Sequence, residues 1–358
     1  MKLAIIGTKG IPAQYGGFET LVEYLCTYLS TDLEITVFCS SKRLSTKPSE
    51  YKGVRLEYIN LDANGWQSVF YDFISLIHAH YRYDKVLILG CSGSIFQFLF
   101  SSEKHKFIVN IGGLDWQRSK WTKLTRKFLQ VSERCAIKYS GHIIADNLGI
   151  GEYIEKTYGR KSNLIAYGGD HVERVEIKED DLFTYPFLKH PYAVAVARIQ
   201  SDNNIELLCH AFKEFHQMPL VIVGNWSNSE YGRLLKRTFK DEKGLILLDA
   251  IYDQKRLDLI RSNCKLYVHG HSAGGTNPAL VEAMNLALPI VAYGSIYNRH
   301  TTENCARYFT NKDDLKRIIE GTSDDEFKHI SLKMISIALR RYTWDIVSQS
   351  YLNVIRSV

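Results

Sequence analysis

Short apolar, β-rich runs alternate with helix-period segments along the whole chain, and this alternation leaves few folds open. In the first half the runs fall at residues 3–6, 34–38, 54–59, 85–89, 107–111 and 142–145. Between the first two, Phe18, Leu21, Val22, Leu25 and Leu29 recur at helical spacing and supply a covering helix. Strand, helix and strand in repetition predict a parallel, doubly wound sheet. A highly charged segment at 173–181, followed by Pro186 and Pro191, reads as the linker. A second series then begins, with runs at 193–197, 220–223, 245–248, 265–268 and 289–292. The expected fold is α/β, with two Rossmann-like doubly wound domains, 1–185 and 186–342, facing a cleft. A last helix at 343–358 is expected to pack back on the first domain.

Composition excludes several classes. At 358 residues the chain exceeds the usual single-core size, which agrees with two domains. Its seven Cys are scattered, odd in number and without CxxC spacing, so neither a disulfide framework nor a zinc site is expected. Met1-Lys2 leads straight into an apolar strand and a glycine turn rather than a signal peptide, and no apolar run approaches the roughly 20 residues that span a bilayer. A cytoplasmic location is the expectation. The net charge of +6 is modest for this length, and the one basic cluster is local, so nucleic acid is not an expected partner.

Open α/β sheets place ligands outside the carboxyl ends of their strands, so candidate site residues are strand-end residues. Five places meet that criterion. The most informative is the stretch from His269 to Met284, which runs from a strand through a small-residue loop, Gly274-Gly275-Thr276-Asn277, into a helix that Asn277 can cap and Pro278 can open. Converging backbone N–H groups and a helix N-terminus suit a diphosphate, with Glu282 one turn further along. A tight turn followed by a solvated Glu is the other reading of the same residues. The loop after strand one, with Lys9, Tyr15, Gly16 and Gly17, also ends in a glycine pair at a helix start. Its spacing is not GxGxxG and no acid closes strand two, so a dinucleotide cofactor is not expected.

The third place is Asp115-Trp116, after the strand at 107–111, where a carboxylate can orient a sugar hydroxyl or cap the next helix. That helix, within 117–138, puts Trp121, Leu124, Phe128, Val131 and Cys135 on one face and crowds Arg118, Lys120, Lys123, Arg126, Lys127, Arg134 and Lys138 around the rest, against one acid, Glu133. Such a surface suits an anionic membrane face or a pyrophosphate-bearing acceptor, and equally a solvated helix. In the fourth place, Arg198 ends the strand at 193–197 and can hold phosphate oxygens bidentately, with Asn203 nearby. In the fifth, Tyr252 follows the strand at 245–248, where it can flank a nucleotide base.

These residues together resemble the retaining family-4 glycosyltransferases of the GT-B fold. More narrowly, Gly7-Thr8-Lys9-Gly10-Ile11-Pro12, Tyr15-Gly16-Gly17-Phe18-Glu19-Thr20, Ala197-Arg198-Ile199 and the stretch from His269 to Pro278 resemble the bacterial rhamnosyltransferase branch, which acts in capsule, O-antigen and cell-wall polysaccharide assembly. The resemblance implies that Glu282, the second Glu of an E-x7-E motif, binds the donor ribose, and that Gly274 to Asn277 receive the diphosphate. It implies phosphate binding by Arg198 and a sugar-facing loop at Asp115. Two positions depart from the pattern: Gly274 stands where the motif's first Glu would be, and Asn203 stands where many relatives carry a Lys.

The implied activity is transfer of a hexose, L-rhamnose from a dTDP-linked donor, onto a lipid-linked or growing saccharide at the cytoplasmic membrane face. No metal is expected. Asp115, Arg198 and Glu282 are the candidate catalytic residues; Gly16, Gly17, Asn203, Tyr252, Gly274, Gly275, Thr276 and Asn277 are donor-side, and Lys9, Tyr15 and Trp116 acceptor-side. Two other readings stay open: transfer of another hexose from a UDP- or GDP-sugar, and a non-catalytic sugar-nucleotide binder. A nucleotide-sugar epimerase would need GxGxxG and Tyr-x-x-x-Lys chemistry that the first domain lacks.

Overall fold

A computed structural model describes residues 1–358 other than 14–15, 43–45, 119–120, 214, 216–217 and 358. The chain divides into two compact units, one of Met1–Tyr167 with Trp344–Val358, the other of Gly168–Thr343.

Among the described residues, the sheet of the first unit has eight strands: β1 Lys2–Ile6, β2 Glu34–Ser40, β3 Glu50–Tyr51, β4 Val54–Ile59, β5 Lys85–Leu89, β6 Phe107–Ile111, β7 His142–Ala145 and β8 Asn163–Leu164. Their order is β3-β4-β2-β1-β5-β6-β7-β8, parallel throughout except for the β3–β4 pair. Strands covered on both faces favour apolar residues, and β5 and β6 are buried along their whole length, apolar but for Lys85 and Asn110. The helix Trp344–Arg356 belongs to this unit. Trp344 stacks on Tyr24 of the helix Gly17–Leu29 with ring centroids 4.3 Å apart, Asn110 Nδ2 donates to the Tyr351 hydroxyl, and Arg356 pairs with Asp32 at 2.7 Å.

The second unit carries β9 Ala193–Val196, β10 Leu220–Val223, β11 Leu245–Leu248, β12 Leu266–His269, β13 Ile290–Tyr293 and β14 Arg307–Phe309. The order β11-β10-β9-β12-β13-β14 is wholly parallel. The chain winds outward from β9 on one side and from β12 on the other, so the topological switch point lies between these two strands. Side chains of Ser229, Asp253, Asn277, Ser295 and Asn311 cap the N-termini of the helices that follow them.

One expectation changes. The charged segment read as a linker is bound to the second unit. The Glu173 N–H donates to Asp258 at 3.2 Å, Arg174 to the Leu286 carbonyl at 2.7 Å and the Val175 N–H to Ser262 at 3.2 Å, and the division falls at 167/168 rather than 185/186. The backbone of this stretch and the Arg174 side chain tie it to the unit, while most of its charged side chains stay exposed.

The basic helix turns a mixed strip, not the apolar face, toward the unit. It runs Lys123–Tyr139, capped by the Thr122 side chain, and buries Ser132, Glu133, Ala136 and Ile137. Leu124 is 80% and Val131 43% exposed, so the apolar face lies partly outside. The cause is Glu133, whose carboxylate takes hydrogen bonds from the Trp116 indole at 3.1 Å and from the Tyr153 and Tyr158 hydroxyls at 2.8 Å each. Three neutral donors make it a buried acceptor, and burial raises its pKa. No described helix is long and apolar enough to cross a membrane.

Candidate functional site

The second unit's site grows out of the switch point between β9 and β12, where diverging connections leave a crevice at the strand ends. Arg198 follows β9 and is exposed. Five residues on, the Asn203 side chain is buried, its amide nitrogen donating to the Arg198 carbonyl at 2.6 Å and its oxygen meeting His271 Nδ1. Asn203 thus braces the two loops at the crevice, a role in which both ends of its amide are used. Asn204 Nδ2 donates to the Gly270 carbonyl at 2.8 Å, and the Ser272 N–H and hydroxyl donate to the Asp202 carbonyl at 2.9 and 2.8 Å. The loop after β12 is therefore laced to the loop after β9 before any ligand arrives.

Gly274 has φ +111°, a left-handed setting that favours glycine, and a Cβ there would stand 3.1 Å from His271 Nε2. Gly275 and Thr276 are buried beside it. Asn277 accepts the Ala279 N–H at 3.0 Å and caps the helix Pro278–Asn285, with Pro278 at its first position. The partial positive charge of this helix start faces the loop.

Glu282 lies on the second turn of that helix with its side chain 14% exposed. Arg261, with no exposed side-chain surface, donates to Glu282 Oε2 and to Asp258 Oδ1, the latter at 2.8 Å. His171 Nε2 stands 3.2 Å from Glu282 Oε1. Burial by itself raises a carboxyl pKa, but here the charges of Arg261 and His171 overcome it and hold Glu282 at about 2. The result is a permanently ionised carboxylate whose oxygens retain lone pairs for further donors. Arg261, Asp258 and His171 were not singled out from sequence. Asp258 and Arg261 stand three apart on a helix with little local signal, and only their burial reveals the network. Tyr252, by contrast, is 63% exposed just before that helix.

In the first unit, Asp115 opens a 3-10 turn, Asp115–Gln117, with its side chain 57% exposed and Arg118 donating to it at 2.8 Å. It does not cap the basic helix, since Thr122 does. Trp116 is fixed by its bond to Glu133. Gly16, at φ +136°, precedes the helix Gly17–Leu29, and Glu19 fills the space over it: a Cβ on Gly16 would meet Glu19 Oε2 at 1.9 Å, while Glu19 Oε1 accepts the Lys9 N–H at 3.1 Å. The positive end of this helix is thus already occupied by a carboxylate, and a diphosphate at Gly16 and Gly17 would face like charge. Lys9 is half-buried, and Tyr15 lies outside the described residues. Among the described residues no group of three or more His, Cys, Asp or Glu is placed to hold a metal ion.

Comparison with known proteins agrees with this architecture. Residues 1–170 match the family model described as a domain of unknown function, DUF1972, and residues 178–327 match glycosyl transferases group 1. No curated protein sequence matches the chain. Among solved structures, a sucrose-phosphate synthase from Thermosynechococcus elongatus superposes with a TM-score of 0.82 at 14% identity, over 99% of this chain and 98% of that one. HepE from Anabaena, in complex with UDP, gives 0.77 at 15% identity, over 100% of both chains. A UDP-forming α,α-trehalose-phosphate synthase from Burkholderia xenovorans, in complex with glucose-6-phosphate, gives 0.75 at 11% identity, again over 100% of both. The chain has the GT-B fold, and the similarity of residues 178–327 to glycosyl transferases group 1 falls on its second unit.

Proposed function

We propose that the chain transfers a sugar from a nucleotide-sugar donor, held on the second unit, to a hydroxyl of a saccharide acceptor. The observation that carries this reading is Glu282, kept ionised by Arg261 and His171 behind a glycine loop that opens a helix at the sheet's switch point. In it, Glu282 accepts hydrogen bonds from the donor ribose. The N–H groups from Gly274 to Asn277, with the helix start, take the diphosphate, and the exposed Arg198 guanidinium adds the charge that Asn203 cannot supply. Tyr252 flanks the base.

The anomeric C–O bond breaks as the acceptor oxygen bonds to the anomeric carbon on the same face. The diphosphate leaves with the electron pair and takes the acceptor's proton. Stabilising the leaving diphosphate by fixed dipoles and Arg198 lowers the barrier without an added metal. Asp115, beside Trp116, orients the acceptor hydroxyl, and Lys9 lies on the acceptor side.

For the sugar we propose L-rhamnose from a dTDP donor, which rests on the resemblance of the Gly7–Thr20 and His269–Pro278 motifs. A second donor class, UDP-hexoses, is favoured by HepE, which was also solved with UDP and glucose. For the acceptor we propose a lipid-linked saccharide, met at the membrane through the basic helix. Supporting this, Lys123, Leu124, Lys127, Val131, Arg134 and Lys138 are all exposed, mixing cationic and apolar side chains along one helix.

Thermal shift with a panel of dTDP-, UDP- and GDP-sugars tests the donor, since a ligand bound only by the folded state raises apparent stability. A dTDP-rhamnose response above the others is expected, and a response to UDP-sugars alone overturns the rhamnose assignment. Released nucleoside diphosphate in the presence of a lipid-linked acceptor tests catalysis. Glu282→Ala or Arg198→Ala with unaltered turnover overturns the site.

A further inference from the structure

A buried carboxylate supports the turn that follows β6 in the first unit. Glu133, on the basic helix Lys123–Tyr139, is 1% exposed. Its Oε1 accepts from the Tyr153 and Tyr158 hydroxyls at 2.8 Å each, and its Oε2 accepts from the Trp116 indole at 3.1 Å. The two tyrosines stand on the helix Leu148–Tyr158 and Trp116 in the 3-10 turn Asp115–Gln117, so one side chain joins three elements. An indole N–H can only donate, so Oε2 is its acceptor whether or not the carboxyl is ionised.

A carboxyl group is an expensive way to pin a helix. Burial raises the pKa of Glu133, a penalty that an apolar side chain of similar volume would not carry. What the carboxyl supplies, and an apolar residue would not, is direction. The tyrosines fix Oε1, Oε2 then fixes the indole nitrogen, and the Tyr153 ring packs against Trp116 with centroids 6.3 Å apart and planes at 45°. A bonded edge and a packed neighbour hold the indole in one orientation.

A ring held in this way favours binding where it meets a ligand, because the ordering is done in advance. Trp116 is only half-buried, and its neighbour Asp115 is exposed, with Arg118 donating to it at 2.8 Å. An aromatic ring beside a carboxylate fits a pyranose: the C–H groups of one sugar face pack on the ring while a hydroxyl donates to the carboxylate. With its N–H already bonded to Glu133, what Trp116 offers a sugar is its ring. We propose that Glu133 is a positioning residue that holds the Trp116 indole as a platform for a pyranose ring of the acceptor, beside Asp115. The inference rests on the acceptor-side reading of Asp115 and Trp116.

Initial rates of nucleoside diphosphate release by the full chain test it, with dTDP-L-rhamnose or UDP-glucose as donor and undecyl-diphosphate-linked glucose or N-acetylglucosamine as acceptor. Trp116→Ala is expected to raise the acceptor KM by about fivefold or more and to change the donor KM by less than about threefold. Glu133→Met, which keeps the bulk and removes the acceptor of the indole N–H, is expected to give a similar split. Glu133→Gln, whose amide oxygen can accept from the indole, should recover most of the loss. Adding Glu133→Met to Trp116→Ala should raise the acceptor KM no further, since nothing is left to position. Should Glu133→Met fail to fold, Trp116→Phe, which keeps a ring and loses the N–H, is read in its place, and an acceptor KM equal to that of wild type overturns the inference. An unchanged acceptor KM in Glu133→Met, an equal rise in both KM values, or a further rise in the double variant makes Glu133 a support of the fold and overturns the inference, while Trp116→Ala still marks the acceptor side. An unchanged acceptor KM in Trp116→Ala overturns the acceptor-side reading itself. Wild type that releases no nucleoside diphosphate with any pair overturns the proposed function, and the inference falls with either.

Discussion

Arg261 donates to Glu282 from a position with no exposed side-chain surface, and its second amino group donates to Asp258 at 2.8 Å. One guanidinium thus spans two helices, the one at Gln254–Ser262 that carries it and the one at Pro278–Asn285 that carries Glu282. Its Nε has no hydrogen-bond partner among the described residues, so the pairing with two carboxylates is what offsets its desolvation.

Removing this guanidinium leaves two carboxylates facing each other without a cation. Arg261→Met is therefore expected to lower stability by about 3–5 kcal/mol, the usual cost of breaking a buried pair on one side. Arg261→Lys restores the charge without the fork and should recover only part of that loss. Urea denaturation of the three proteins checks the order, and a methionine variant as stable as wild type would show that the network is not a stabilising one.

Acid should act on the same carboxylate. Glu282 falls from an ordinary 4.5 to about 2 in the folded chain, so its contribution is complete above about pH 4.5 and is lost as pH falls toward 2. At neutral pH that displacement corresponds to about 3 kcal/mol. Asp72 has the opposite sign: burial raises it from 3.8 to about 6, so stability declines as pH rises through that window. Denaturation midpoints measured from pH 3 to 7 should show Glu282→Gln with a shallower acid loss than wild type. Asp72→Asn, which can still accept from Ser92, should remove the decline between pH 4 and 6.

How much of this was legible in the sequence depended on burial. Strands covered on both faces, such as β5, β6 and β10, are mostly apolar runs and were bounded correctly. The missed strands, Glu50–Tyr51, Asn163–Leu164 and Arg307–Phe309, are two or three residues long at or near sheet edges and carry no such run. In the site, Asn277 and Pro278 were legible because capping is local chemistry. Arg261, His171 and Asp258 were not, because their roles come from partners that fold, rather than sequence, brings together. The burial of Glu133 in the basic helix was equally illegible, because its three donors, Trp116, Tyr153 and Tyr158, come from elsewhere in the unit.

The exposed cations of that helix make the membrane proposal measurable. Each Lys near an anionic surface contributes about 1 kcal/mol, so Lys127→Ala and Lys138→Ala together should weaken binding to phosphatidylserine-containing vesicles by about 30-fold. Vesicle sedimentation checks this, with neutral vesicles as the reference. Leu124→Asn should weaken binding to both kinds of vesicle if apolar insertion contributes. Wild type that stays in the supernatant with anionic vesicles leaves the helix as a solvated face.

Gly274 offers the sharpest test of how the loop is built. At φ +111° an added Cβ is strained, and it would press on His271 Nε2 from 3.1 Å. The backbone part of the penalty is about 1–3 kcal/mol. The imidazole cannot simply swing aside, because its Nδ1 is held by Asn203 and its backbone by Asn298. Gly274→Ala is thus expected to lower the thermal midpoint and also to weaken nucleotide-sugar binding, by displacing the helix-start loop and the imidazole together. Gly275→Ala, whose backbone is not in the left-handed region, separates added bulk from strain. If both variants lose the same stability, the left-handed setting of Gly274 contributes nothing beyond crowding, and strain is not what keeps a side chain out of position 274.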